Sequence, residues 1–129
     1  QDDRYVVLTG GEPMLQVDDA LIEALHGEGF TVAIESNGTL PVPRLIDWIC
    51  ISPKAGSELV QTSGDELKLV WPQPGSDVER LAELDFAHRL IQPLDDANAA
   101  DNVRHCIDLV MRDPRWRLSL QTHKTLGLR

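Results

Sequence analysis

The chain has 129 residues, and its 42% hydrophobic and 26% charged residues are typical of a single globular domain with a real core. The formal net charge of −9 argues against a general binder of nucleic acid, because such proteins need a basic face. A small anion held by a few placed lysines stays possible. No apolar run approaches the ~18 residues of a membrane span, and no signal-peptide pattern opens the chain. Because the first residue is Gln1 rather than Met, we expect the natural start to lie upstream or to have been processed away.

Short apolar runs alternate with amphipathic segments along the chain. The runs predict strands at residues 5–9, 30–35, 48–52, 66–71, 88–92 and 117–121. Helices are predicted from an N-cap at Asp18 or Asp19 towards residues 27–29, over 75–84 and over 98–112. The links at 36–47 and 53–65 favour loops or irregular turns. This order predicts an α/β fold with a mainly parallel sheet.

A polar cluster follows each predicted strand. In chain order the clusters are TGGEP, ESNGT, SPK, PQP, QPLD and QTHK. Because parallel strands end at one edge of their sheet, these clusters predict a ligand-binding rim, although loops are polar in any case.

The TGGEP turn at residues 9–13 ends the first strand abruptly. Gly10 and Gly11 have no Cβ, so a ligand can approach their peptide groups closely. Pro13 fixes its own φ and lacks an N–H, which stops the strand. Glu12 is then either a ligand-facing carboxylate or a solvated acid on a tight turn.

The remaining reactive side chains favour structural roles. Cys50 and Cys106 are predicted to be small buried residues rather than a disulfide or metal pair, which fits a cytoplasmic protein. His26 and His105 are expected on helix surfaces or in helix packing, and His88 has no obvious partner. The three tryptophans fall at strand edges, where core packing is expected; they are Trp48, Trp71 and Trp116.

The motifs LTGGEP, ESNGT, ISPK, QPLD and LSLQTHKTLGLR together resemble a known family. LTGGEP at a strand end is similar to the S-adenosylmethionine (SAM) motif of radical SAM enzymes. The full set, in this order and spacing, resembles the 7-carboxy-7-deazaguanine synthases of queuosine and deazapurine biosynthesis. The resemblance runs over essentially the whole chain.

The resemblance implies a lyase that converts 6-carboxy-5,6,7,8-tetrahydropterin to 7-carboxy-7-deazaguanine. A reduced 4Fe–4S cluster cleaves SAM there, the resulting radical abstracts a substrate hydrogen, and Mg²⁺ assists later steps. It also implies a partial (β/α) radical SAM barrel and a homodimer, with a pterin substrate and with no nucleic-acid or membrane partner.

Carried over by motif, the resemblance implies two sets of binding residues and no assigned catalytic residue. Glu35 could instead be a plain strand-end acid, and the terminus around His123 could be frayed. The implied substrate contacts are Thr9, Glu35, His123 and the terminal carboxylate of Arg129. The implied SAM contacts are Gly10, Gly11, Glu12, Ser52, Pro53, Lys54, Gln92, Pro93, Leu94 and Asp95.

The chain departs from the family in lacking the three-cysteine cluster motif. Cys50 and Cys106 lie too far apart to replace it, so no metal ligand is assigned. We therefore interpret residues 1–129 as one domain, the C-terminal part of a radical SAM core, inactive alone. Two alternatives stay open: a different radical SAM enzyme, such as an activase, or an inert α/β module with a nucleotide-like pocket.

Overall fold

An all-parallel sheet and three α-helices build an α/β fold in the computed structural model, which describes residues 4–9 and 12–119. The strands are β1 (Arg4–Leu8), β2 (Phe30–Ser36), β3 (Trp48–Ile51), β4 (Ser63–Trp71), β5 (Asp85–Pro93) and β6 (Arg117–Leu118). The helices are α1 (Asp19–Gly27), α2 (Val78–Ala82) and α3 (Ala99–Arg112), and a single 3-10 turn spans Pro13–Leu15. No helix among these residues is long and apolar enough to cross a membrane.

The strands lie in the sheet in the order of the chain, from β1 to β6, and each pairs in parallel with the next. A doubly wound sheet reverses its strand order, whereas a barrel keeps adding strands in one direction. The order is therefore that of a barrel segment. The prediction of a mainly parallel α/β sheet is confirmed.

The core lies between one face of the sheet and the helices. Alternate strand residues such as Val32, Ile34 and Ile91 are fully buried on this face. Ile22 of α1 and Leu109 of α3 pack into the same cluster. Trp116 is 1% exposed there, which confirms core packing for this tryptophan.

The first helix starts at the predicted capping residue. Asp18 accepts a hydrogen bond of 2.9 Å from the backbone N–H of Leu21 and caps α1, as predicted. Helix α2 is shorter than the predicted 75–84 segment. Gly75 has φ +89, which no α-helix contains, and Asp77 caps the helix by accepting from Arg80 N–H.

Two strands are longer than their apolar runs. Strand β4 begins at Ser63 and β5 at Asp85, because polar residues at the strand starts also pair through their backbones, as Ser63 does with Asp85. The links between β2 and β3 and between β3 and β4 contain no helix, as predicted. Of the predicted last strand, residues 120 and 121 lie outside the described part of the chain.

Candidate functional site

A small cavity of about 180 Å³ lies at the carboxyl ends of β1, β2 and β3. It brings together five predicted site residues from three separate segments, and two residues that the sequence analysis did not select. Its lining residues are Thr9, Glu12, Glu35, Ser36, Asn37, Ser52 and Lys54. The polar clusters at these three strand ends therefore meet at one cavity, as the parallel sheet predicts.

Glu12 is held by three donors. Its Oε1 accepts from Asn37 N–H at 2.8 Å, and its Oε2 accepts from the Ser36 hydroxyl at 2.9 Å and from Met14 N–H at 3.0 Å. The Met14 bond also caps the 3-10 turn that Pro13 begins. Glu12 is thus no solvated acid, because its carboxylate ties the turn after β1 to the end of β2.

Ser36 lies behind Glu12 and is 2% exposed. Its hydroxyl donates to Glu12 and accepts from Gly38 N–H at 3.0 Å, while its carbonyl accepts from Ser52 N–H at 2.8 Å. One serine therefore connects three segments of the rim. The sequence carried no signal for this role, because serine is common at strand ends.

Lys54 is the cation of the cavity. It lies exposed on the turn after β3, where its carbonyl accepts from Ser57 N–H at 3.3 Å. Pro53 is buried beside it and does not line the small cavity. Together with Lys54, Pro53 lines a neighbouring cavity of about 320 Å³ between the β3–β4 link and α2.

The QPLD segment ends β5 on the same rim but does not line the small cavity. Gln92 is buried, and the backbone of Leu94 donates to Trp71 O and accepts from Asn102 Nδ2, both at 2.8 Å. Asp96 Oδ1 accepts from Asn98 N–H at 2.8 Å, at the start of α3. The second aspartate of the acidic cluster therefore holds the backbone of the N-cap residue of α3.

The second face of the sheet carries a polar row that sequence analysis missed. Lys68 Nζ lies 3.4 Å from Glu35 Oε2, an ion pair with side chains 26% and 42% exposed. The register aligns Glu35, Cys50, Glu66 and His88 across four strands. The alternation in ELKLVW was the available signal, because Leu67 and Leu69 are buried on one face while Glu66 and Lys68 lie on the other.

His88 has a partner, contrary to the sequence expectation. Its ring stacks on Trp48 with the ring centroids 5.9 Å apart and the planes 23° apart. Trp48 is half-buried and is not part of the helix-facing core. This tryptophan therefore packs on the other face of the sheet, the face that also carries Cys50, two residues further along β3.

The two cysteines do not fit a 4Fe–4S cluster. Burial raises the pKa of the Cys50 thiol strongly, Glu66 raises it further, and the thiol donates to Glu66 at 3.3 Å. Burial raises the pKa of Cys106 to about 11. This thiol belongs to α3 and lies 3.6 Å from the carbonyl oxygen of Trp71 in β4. Both are buried and free, as predicted, whereas a cluster needs several thiolates. Within residues 4–9 and 12–119, no three His, Cys, Asp or Glu side chains are grouped to hold a metal.

The cavity does fit the amino-acid part of SAM. It offers the carboxylates of Glu12 and Glu35, the ammonium of Lys54 and several hydroxyl and amide groups. These match an α-ammonium and an α-carboxylate in charge and hydrogen-bonding type. Four predicted site residues lie outside the described part of the chain: Gly10, Gly11, His123 and Arg129.

Comparison with known proteins gives relatives over nearly all of the chain. A 7-carboxy-7-deazaguanine synthase of Bradyrhizobium diazoefficiens is 56% identical over 128 residues, which cover 99% of this chain. One of Bordetella pertussis is 53% identical over 98% of it. The chain is a homologue of the 7-carboxy-7-deazaguanine synthases. No family model matches it.

The crystal structure of QueE from Escherichia coli is similar in fold. It superposes with a TM-score of 0.71 at 29% identity, covering 94% of this chain and 58% of that one. The chain spans only about three-fifths of the two synthases, 61% and 60% of their lengths. The complete enzyme's activity is therefore a matter for proposal.

Proposed function

We propose that the chain is the C-terminal part of a radical SAM 7-carboxy-7-deazaguanine synthase. The observation that carries this is the rim cavity, where Thr9, Glu12, Glu35, Ser52 and Lys54 meet from three strand ends. These residues come from three of the motifs that resemble the family. The identity of 56% to a synthase supports the same assignment.

The reaction would remove ammonia from 6-carboxy-5,6,7,8-tetrahydropterin and contract its ring to 7-carboxy-7-deazaguanine. With a cluster supplied by residues outside this chain, bound SAM would provide the hydrogen-atom abstraction that starts the rearrangement. This chain's residues would bind and orient. Lys54 and Ser52 would hold the methionine carboxylate, and Glu12 would face the ammonium.

Other residues complete the proposed contacts. Gly10 and Gly11 would lie against SAM, and Pro53 and the QPLD segment, Gln92 to Asp95, would line the rest of its site. The pterin would meet Thr9, Glu35, His123 and Arg129. Lys68 supports the Glu35 assignment, because its ammonium lies 3.4 Å from Glu35 Oε2 and helps to hold in place a carboxylate that can accept pterin N–H groups.

The remaining parts of the proposal rest on the resemblance. They are a 4Fe–4S cluster and Mg²⁺ held by residues outside this chain, a homodimer, and a cytoplasmic protein without a nucleic-acid partner. Residues 1–129 would form one domain of the radical SAM core. Alone, the chain would be inactive.

The experiment uses the full-length protein, reconstituted with iron and sulfide, and two variants that separate the two ligands. Lys54→Met should weaken SAM binding about tenfold and leave pterin binding within about twofold, because a carboxylate loses its cation. His123→Ala should do the reverse. Isothermal titration measures both affinities. Arg104→Met, which removes an exposed cation on α3 paired with Asp101, is the control.

Three results would overturn the proposal. The first is a reconstituted protein that binds neither SAM nor the tetrahydropterin. The second is Lys54→Met and Arg104→Met variants with the same SAM affinity. The third is a parent gene with no cysteine motif upstream of this segment, which would favour the inert binding module.

A further inference from the structure

The buried hydroxyl of Ser36 has both of its hydrogen-bonding functions occupied. It donates to Glu12 Oε2 at 2.9 Å and accepts from Gly38 N–H at 3.0 Å. A donating hydroxyl keeps its hydrogen on one partner, so the Gly38 bond orients the Ser36 proton towards Glu12. At 2% exposure, water does not compete for this bond.

The three donors leave Glu12 with little freedom. A carboxylate has about four lone-pair directions. Two on Oε2 are taken by Ser36 and Met14, and one on Oε1 is taken by Asn37. With respect to donors among residues 4–9 and 12–119, one direction on Oε1 stays for a ligand in the cavity that Glu12 lines. The Ser36 bond is thus one of the three that orient this last direction, and the only one of the three made by a side chain.

Ser36 also joins Glu12 to the opposite wall of the cavity. Its carbonyl holds Ser52 N–H at 2.8 Å, at the start of the SPK segment. A substitution of the Ser36 side chain keeps this backbone bond, so the effect of the hydroxyl on SAM binding should pass through Glu12.

We propose that Ser36 is a positioning residue for SAM, acting through the Glu12 carboxylate. The inference rests on the proposed function and goes beyond it, since it assigns a role to a side chain that is not among the proposed SAM or pterin contacts. It predicts that the hydroxyl matters for SAM binding only while Glu12 is a carboxylate.

The test is a double-mutant cycle in the full-length reconstituted protein, read as SAM affinity by isothermal titration. Ser36→Ala should weaken SAM binding about 5- to 30-fold, because a charged acceptor loses a buried donor. Glu12→Gln alone should weaken it as well, since an amide offers one oxygen to three donors. In the Glu12→Gln protein, Ser36→Ala should add less than about twofold.

Two further variants serve as controls. Ser57→Ala, at an exposed serine of the β3–β4 link, should leave SAM affinity unchanged. Ser36→Cys keeps the buried volume nearly constant but donates weakly, so it should weaken SAM binding less than Ser36→Ala does. If Ser36→Ala does not fold, Ser36→Cys replaces it in the cycle.

The outcomes separate the two claims. If the unmodified protein fails to bind SAM, the proposed function fails, and this inference fails with it. If the unmodified protein binds SAM and the Ser36 effect is equal with Glu12 or Gln at position 12, only the positioning role is overturned. A loss of pterin affinity equal to the loss of SAM affinity would also overturn it, because general loosening of the rim would then suffice.

Discussion

At the scale of single residues, Asp47 ties α1 to the sheet at the amino end of β3. Its Oδ2 accepts from Val32 N–H at 2.7 Å and lies 2.8 Å from His26 Nε2. The Val32 hydrogen bond, with a smaller contribution from His26, holds the pKa of Asp47 below its usual 3.8. The side chain is 41% exposed, so solvent screens the pair.

The lowered pKa gives a definite sign for the effect of pH. A carboxyl with a lower pKa in the folded state stabilises it above the unfolded value of 3.8, and that contribution is lost as pH falls towards the folded pKa. We expect Asp47→Asn to cost less than about 1 kcal/mol at neutral pH. The difference from the unmodified chain should shrink below about pH 4.

Urea unfolding at a series of pH values measures this difference. Asp108→Asn, which removes an exposed carboxylate on α3, is the control. Its unfolding free energy plotted against pH should run parallel to that of the unmodified chain. If the difference in unfolding free energy between Asp47→Asn and the unmodified chain stays constant as the pH falls below about 4, the prediction is contradicted.

Candidate site residues could be predicted from the sequence where a motif marks them. Their contacts with residues distant in the chain could not. Glu12 stood in a motif, but whether it was solvated depended on Ser36 and Asn37, 24 and 25 residues away. The Trp48–His88 stack likewise joins two strands that are not neighbours in the chain. Such pairings need the register between strands, which a single sequence does not state.

At the scale of elements, α3 holds the QPLD segment through Asn102. This side chain is 4% exposed, and its Nδ2 donates to Leu94 O and to Asp96 Oδ1, both at 2.8 Å. The helix therefore fixes the backbone of a segment that is proposed to line the SAM site. The bond is a structural one, so stability is the quantity to measure.

We expect Asn102→Ala to lower the free energy of unfolding by about 1–3 kcal/mol, because Leu94 O loses a buried partner. Asn98→Ala is a matched control on the same helix. Asn98 is the N-cap residue but makes no side-chain capping bond, so its loss should cost less than about 0.5 kcal/mol. Urea unfolding compares them, and equal losses would contradict the argument.

Helices and strands could be told apart from the sequence, because the spacing of hydrophobic residues and the capping residues depend only on near neighbours in the chain. The strand pattern and the Asp18 cap of α1 needed only neighbouring residues. The ends of β4 and β5 were missed because polar residues such as Ser63 and Asp85 extend strands by pairing across the sheet. Helix α2 was overestimated because its predicted start included the left-handed Gly75, before the Asp77 cap, and because the apolar spacing continues to Leu84, past the last helical residue Ala82.

At the scale of the whole molecule, β1 forms one edge of the sheet. Among the described residues, its only strand partner is β2, so the other side of its backbone has none. Tyr5 and Val7 are 56% and 48% exposed on the strand. An apolar edge with free N–H and C=O groups pairs readily with another strand.

We therefore expect this 129-residue chain to self-associate or exchange strands as its concentration rises. Val7→Lys should shift it towards monomer, because a charge on an edge strand opposes pairing with another copy. Val60→Lys is the matched control, since Val60 is 47% exposed but lies in the β3–β4 link. Sedimentation velocity across a hundredfold concentration range, about 1 to 100 μM, measures the association. A chain that stays monomeric throughout, or an equal response to both substitutions, would show that the β1 edge does not drive association.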